Sequence, residues 1–235
     1  MKRGQSGFTL VEIAIVLVII GLLIGGVLKG QEMITQGRIK NAIIDFSGVT
    51  AAYYAYIDRY KALPGDDSQA TSRWGAAILP TNAYGNGDGV VTGNYYQTTP
   101  GSAASNETAD FWLHLRAAGL VTGSTSLDSN GKVTLPVNSS GSIIGVQTGD
   151  GNSPPSGVLK SSGSDSGLAS LMICSSNLPD RVAAAVDAQL DDGRPNTGSM
   201  RAKQTAVPDT ITSSTNPMGA PYSDTGTALT LCRAL

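Results

Sequence analysis

The sequence predicts an α+β fold in which a long N-terminal helix packs on a globular head built around an antiparallel sheet. The first observation is a run of 21 nearly unbroken apolar residues, 8–28, in which Glu12 is the only charge. The second is an amphipathic stripe that continues to about Tyr60. The third is a remainder in which short apolar runs alternate with Gly, Ser, Asn and Pro, a pattern typical of short strands joined by turns. The predicted parts are a leader (1–7), the two halves of one helix (8–28 and 29–62) and the head (63–235).

Residues 8–28 are long enough to cross a bilayer. At about 1.5 Å per residue, a helix of this length spans roughly 30 Å, which is the hydrocarbon thickness of a membrane. Lys2 and Arg3 precede the span, and the positive-inside rule predicts a cytoplasmic leader and an exported remainder. The only suitable processing point precedes the apolar core, whereas a secretory signal has its cleavage site after the core. We therefore expect the apolar segment to be retained.

Glu12 is the unusual residue of this segment. A carboxylate one turn inside a membrane helix costs about 2.5–3.5 kcal/mol on insertion scales, so it usually marks a function or a specific partner. The alternative is an interfacial glutamate at headgroup level. Cleavage after Gly7 would leave the Phe8 amine four residues before Glu12. That spacing puts a cation and an anion on one helix face, where they can pair within a chain or between neighbouring chains.

Residues 7–12, GFTLVE, follow a short basic leader and precede the apolar run. This hexamer closely resembles the class III signal of type IV pilins and pseudopilins. The resemblance implies a prepilin peptidase that cuts after Gly7 and methylates the amine of Phe8. It also implies that Glu12 neutralises the terminal amine of an adjacent subunit, and that the fold is a pilin-like lollipop. The match is close over about thirty residues, but the proline that many members carry midway along the helix is absent.

The resemblance implies a structural subunit of a type IV pilus-like filament. The subunit would wait in the bacterial inner membrane, in contact with lipid. An inner-membrane assembly platform would then extract it into a helical homo-oligomer whose core is the bundled helices 8–60. The filament would reach the cell surface or span the periplasm. A type II secretion pseudopilin is one alternative, and a membrane-anchored extracytoplasmic binding module is another.

Composition gives no indication of an enzyme or of a nucleic-acid partner. The formal charge is −2 and no Lys/Arg cluster is present, so nucleic-acid binding is not indicated. His114 is the only histidine, and no nucleophile motif such as G-x-S-x-G accompanies it. We interpret His114 as a partly exposed helix residue and expect no catalytic site.

The two cysteines, Cys174 and Cys232, both lie in the part that is expected outside the cytoplasm, where a disulfide is chemically permitted. The alternative is a pair of reduced, buried thiols. The pilin resemblance favours the disulfide, because many pilins tie down their C-terminal segment in this way. Closing a loop of this length by a disulfide would stabilise the folded protein by roughly 4 kcal/mol on the chain-entropy model.

A calcium site is one of two hypotheses for the turn-rich region that follows the long helix. The segments PGDD (64–67) and YGNGDG (84–89) place the oxygens of four residues near glycines, and such oxygens suit Ca²⁺. These residues are Asp66, Asp67, Asn86 and Asp88. Calcium loops known in related pseudopilins support this hypothesis, although Tyr84 and Tyr95 stand where an EF-hand would have ligands. The alternative is a plain Asn-Gly or Asp-Gly turn. No other cofactor is expected.

The head is predicted to contain two short helices and several strands. Residues 106–119 read as a helix capped by Asn106 or Thr108, and residues 176–193 read as a second helix. The second helix ends in Asp187, Asp191 and Asp192, which oppose the helix dipole. They indicate a paired cation or a hydrogen-bonding role, or else a solvated acidic end. The predicted strands are 132–137, 142–147, 200–207 and 227–232.

Overall fold

The structure is a computed structural model that describes residues 9–101, 106–161, 165–206, 209–219 and 221–235. It divides into two compact units, Met1–Arg38 and Ile39–Leu235. A long helix, α1 (Leu10–Tyr60), contributes to both units. The α+β fold class is confirmed, since a long N-terminal helix and a four-stranded antiparallel sheet are both present.

The part of α1 that lies in the second unit buries one face. Its buried side chains recur every three or four residues, as the period of a helix requires. They are Ile39, Ala42, Phe46, Val49, Ala52 and Tyr56. The apolar stripe expected from the sequence includes Ile57 and not Tyr56, but in the structure Tyr56 is fully buried while Ile57 is only half-buried. The hydroxyl of Tyr56 explains this difference, since it donates a hydrogen bond to a buried carboxylate.

The sheet has four strands in the order β1-β2-β4-β3, and every neighbouring pair is antiparallel. The strands are β1 (Ile144–Thr148), β2 (Leu171–Pro179), β3 (Met200–Gln204) and β4 (Ala228–Ala234). Three of them fall where alternation predicts strands. The strand predicted at 132–137 is wrong, because only Val137 forms a bridge there, to Ile143.

Three shorter helices complete the described fold, and they are α2 (Ala70–Trp74), α3 (Glu107–Ala117) and α4 (Asp180–Leu190). Helix α3 contacts β1, and α4 contacts the other three strands. The helix predicted from residue 176 begins only at Asp180, because Leu178 and Pro179 still pair with β4 after an irregularity at which Asn177 has a positive φ of 54°. Asn106 stands at the predicted N-cap position of α3, but neither predicted cap forms a side-chain capping hydrogen bond. Asn106 has left-handed backbone and no capping hydrogen bond, and Thr108 donates its hydroxyl to Asn94 O.

Gly145 and Gly65 are two of the glycines that stand at close backbone approaches in the head. A Cβ on Gly145 of β1 would lie 1.7 Å from the carbonyl oxygen of Tyr95. Gly65 has a positive φ of 92°, and a Cβ there would lie 2.7 Å from Glu107 O. Each site therefore excludes a side chain by steric overlap. Gly65 places the turn after α1 directly against the start of α3.

Candidate functional site

The described part of the N-terminal signal begins at Thr9, so the predicted cleavage residues Gly7 and Phe8 lie outside the described residues. Thr9 N and Thr9 Oγ1 donate to Glu12 Oε2 at 2.8 and 2.7 Å. In return, Glu12 N donates to Thr9 Oγ1 at 3.3 Å. These reciprocal bonds form a capping box, which satisfies backbone N–H groups at the start of α1.

The capping box is a role of Glu12 that the signal motif alone did not suggest, although the T-x-x-E spacing could have shown it. Both bonds from Thr9 fall on Oε2. Among the described residues Oε1 has no donor, so it remains free for a second partner. Glu12 can therefore start the helix and still offer a carboxylate oxygen to a neighbouring chain.

The first unit exposes a continuous apolar surface. Its large apolar side chains from Leu10 to Leu28 are between 45% and 87% exposed. By length and composition, α1 is the one helix among the described residues that could cross a membrane. An apolar surface of this size is costly in water, so it requires lipid or other apolar helices around it.

The two cysteines are joined in the structure. Cys174 on β2 and Cys232 on β4 are directly paired in the register of the sheet, with their Cα atoms 4.1 Å apart. Both are fully buried. Strands β2 and β4 are the two central strands, so the disulfide links the last strand of the chain to the middle of the head.

Asp66 holds the loop that was predicted to bind calcium. Its Oδ1 accepts hydrogen bonds from Gly87 N at 2.6 Å and Asp88 N at 3.2 Å, and its Oδ2 accepts one from Gly89 N at 2.7 Å. Burial raises the pKa of the Asp66 carboxyl, although these backbone hydrogen bonds oppose the rise. The three backbone N–H groups surround the Asp66 carboxylate in the way that an anion-binding nest of amides surrounds a bound anion.

Asp67 joins α1 to the turn that follows it. Its oxygens accept hydrogen bonds from Tyr56 Oη at 2.7 Å and Gln69 N at 2.9 Å, and it forms an ion pair with Arg73. Burial raises its pKa, but the bonds from Arg73, Tyr56 and Gln69 outweigh burial, so the pKa lies below its ordinary value. Burial also raises the pKa of Tyr56 well above its ordinary value, and the bond to Asp67 adds to the rise.

The four residues predicted as calcium ligands are thus engaged by protein donors. Asn86 Nδ2 donates to Asp88 Oδ2 at 2.9 Å, and Val90 N donates to Asp88 Oδ1 at 2.9 Å. In the described part of the chain, one group of three carboxylates brings oxygens within 4.8 Å of one another, and it is Asp187, Asp191 and Asp192. The calcium site at Asp66–Asp88 stays a prediction, and its geometry matches the alternative of a hydrogen-bonded turn.

The prediction that His114 is partly exposed is wrong. The ring is fully buried, and its Nδ1 accepts a hydrogen bond from Gly65 N at 2.9 Å. Nε2 therefore carries the proton and donates to Ala83 O at 3.1 Å. Burial lowers the pKa of His114 to about 4, so the ring is neutral. The helical pattern around His114 could not show this, because Gly65 and Ala83 are distant in sequence.

Comparison with known proteins identifies the N-terminal segment. Residues 2–28 match the family model described as the prokaryotic N-terminal methylation motif. These residues therefore carry the class III signal of type IV pilins and pseudopilins, as the GFTLVE hexamer indicated. The motif implies cleavage by a prepilin peptidase and assembly into a multi-subunit filament. No curated protein and no solved structure matches the chain.

Proposed function

We propose that this protein is a structural subunit of a type IV pilus-like filament. The observation that carries the proposal is the methylation motif at residues 2–28, which includes the start of a helix whose apolar side chains from Leu10 to Leu28 are exposed. A subunit of this kind is inserted in the inner membrane and is cleaved after Gly7. It is then methylated at Phe8 and assembled through its N-terminal helix.

The energetics of α1 support assembly rather than simple anchoring. In the membrane, lipid covers the apolar half of the helix, and in a filament the same half of neighbouring helices would replace the lipid. The charge of Glu12 remains costly in either environment. Pairing of its carboxylate with the Phe8 amine of a neighbouring subunit offsets that cost, and methylation leaves the charge of the amine intact.

The head also supports a structural role. The only histidine of the chain is buried, and both of its ring nitrogens are used in hydrogen bonds to backbone groups. The two cysteines form a buried disulfide, so neither is a free thiol. We therefore propose no catalytic function, and we assign the head to the filament surface.

The experiment is to determine the intact mass and N-terminal sequence of the protein in material sheared from cells, with the membrane fraction as the comparison. The proposal expects a sheared chain that starts at methylated Phe8 and is two hydrogens short because of the Cys174–Cys232 bond. A chain that starts at Met1 and occurs only in membranes would overturn the filament. Mature protein that is confined to the cell envelope would instead support a short secretion pseudopilus.

A further inference from the structure

Three carboxylates meet at the C-terminal end of α4. One oxygen each from Asp187, Asp191 and Asp192 lies within 4.8 Å of the others. Asp187 lies in the last turn of α4, and Asp191 is the C-cap residue, whose N–H donates to Asp187 O at 2.7 Å. The C-terminus of a helix carries partial negative charge, which adds to the repulsion between the carboxylates. Among the described residues, no Lys or Arg nitrogen forms an ion pair with any of the three.

The loop that follows α4 satisfies two of these carboxylates. Asp191 accepts hydrogen bonds from Ser199 Oγ at 3.1 Å and Met200 N at 2.8 Å. Asp192 is exposed and accepts bonds from Arg194 N at 2.9 Å and Thr197 Oγ1 at 2.6 Å. These bonds fix both side chains in place. They also leave lone pairs free, because each carboxylate oxygen can accept more than one bond.

Asp187 is different, because it is fully buried and incompletely satisfied. Its Oδ2 accepts a hydrogen bond from Tyr222 Oη at 2.6 Å. Its Oδ1 is shielded from solvent and has no hydrogen-bond partner among the described residues. A buried acceptor without a partner costs about 1–3 kcal/mol, and more when it is charged. The solvated acidic end considered from the sequence is therefore wrong for Asp187.

The carboxyl of Asp187 is perturbed by burial and by its acidic neighbours, and its pKa is raised. Burial raises this pKa to about 6, and the charges of Asp192 and Asp191 add to the rise, while the bond from Tyr222 opposes it. The Gly193 amide offsets part of the rise, but it makes no hydrogen bond of normal geometry with Oδ1. A cation between the three carboxylates would relieve the repulsion that their close approach imposes.

We propose that Asp187, Asp191 and Asp192 form a calcium site at the end of α4. Ca²⁺ is a hard cation that takes six to eight oxygen ligands with flexible geometry. The ligand atoms here are all oxygens, whereas Zn²⁺ sites are mostly built from Cys and His.

Position in the cell also favours calcium. The head follows the membrane-spanning half of α1, and the N-terminal signal places it outside the cytoplasm. Extracellular calcium modules bind with dissociation constants of about 10⁻⁴ to 10⁻³ M, and we expect an affinity in this range. The ion would tie α4 to the loop before β3, and thereby stabilise one side of the sheet.

The test uses the full-length mature protein in a nonionic detergent and Tb³⁺ as a luminescent substitute for Ca²⁺. Tyr222 touches the site through its hydroxyl, so excitation of tyrosine should sensitise Tb³⁺ emission. We expect saturable emission that Ca²⁺ displaces. Tyr222→Phe should remove most of the emission and leave the thermal shift caused by Ca²⁺ nearly unchanged.

Three variants locate the ion. Asp187→Asn keeps an oxygen acceptor for Tyr222, and Asp192→Asn changes an exposed side chain, so a correctly folded chain is expected for both. Each should weaken Ca²⁺ binding at least about tenfold, because the charge of the ligand set determines affinity. Asp88→Asn is the matched control in the other acidic loop and should bind Ca²⁺ like the wild type. Far-UV circular dichroism checks the fold of every variant.

Several results would contradict the proposed calcium site. Emission that does not saturate, or that Ca²⁺ does not displace, would show that the acidic group binds no calcium. Loss of binding in Asp88→Asn together with normal binding in Asp192→Asn would place the ion in the Asp66–Asp88 loop. Full emission from Tyr222→Phe would place it away from α4. None of these results depends on filament assembly, so the site can fail while the proposed function stands.

Discussion

Asp110 on α3 offers a sharp test of how the head tolerates a buried acid. Its side chain is fully buried, and neither carboxylate oxygen has a hydrogen bond of normal geometry among the described residues. Burial raises the pKa of Asp110 from 3.8 to about 9, and the charge of Glu107 adds to the rise, while the Gly101 amide opposes it. At neutral pH the folded protein therefore holds a proton on Asp110.

The sign of the pH dependence follows from proton binding. Between pH 4 and pH 9 the folded state keeps the proton on Asp110, whereas the unfolded state has released it. The contribution to stability is therefore complete below the unfolded pKa and is lost as the pH rises through the folded pKa. One proton corresponds to about 1.4 kcal/mol per pH unit, so at most about 4 kcal/mol is lost between pH 5 and pH 8.

The assay compares the wild type with Asp110→Asn, which has nearly the same shape and does not titrate. Urea unfolding of the full-length protein in detergent, at each pH unit from 5 to 8, gives the free energy of unfolding of both chains. The contributions of other titrating groups cancel in the difference between the two chains. The free energy of unfolding of the variant, relative to that of the wild type, should therefore increase with every pH unit. If the difference in free energy of unfolding between the two chains does not change with pH, Asp110 is not protonated in the folded protein over this range.

Asp88→Asn is the control for this measurement. Asp88 is exposed, and hydrogen bonds from Asn86 and Val90 outweigh its slight burial, so its pKa lies below the ordinary value. It is already ionised in both states above pH 5. Its replacement should therefore give a difference in free energy that is flat over the same range.

Four further predictions concern the signal, the disulfide and the helix. Gly7→Ala should leave the leader attached, which intact mass would show, and normal maturation would contradict the signal assignment. Glu12→Ala should permit cleavage but lower the yield of sheared filaments, so a wild-type yield would count against charge pairing. Replacing Cys174 and Cys232 together by Ser should lower the free energy of unfolding by about 4 kcal/mol, because the closed loop is long, and an unchanged urea midpoint would refute this. Gly48→Ala should raise that free energy by about 0.5–1 kcal/mol, since the site is exposed in a helix with open space around it, and a lowered midpoint would show that the space is occupied.

The parts of the molecule that the sequence predicted are those determined by neighbouring residues. The apolar run and the GFTLVE hexamer are continuous in sequence, so the membrane helix and the methylation signal could be recognised directly. The environment of His114 could not, because its two partners, Gly65 and Ala83, lie 49 and 31 residues away. Strand β2 was missed for a related reason, since its residues gain their strand geometry by pairing with β1 and β4, and β4 is distant in sequence.

Acidic composition alone cannot show which aspartates are candidates for binding a cation, because the sequence does not show how many hydrogen-bond donors each carboxylate receives. Asp66 receives three backbone N–H groups, which offset part of the rise in its pKa that burial causes. Asp187 receives one hydroxyl and keeps a buried oxygen without a partner. Both residues stand in loops or helix ends rich in Asp and Gly, and they look alike in sequence. The number of donors that the fold supplies to each carboxylate distinguishes them, because a buried charge that lacks donors needs a cation or a proton.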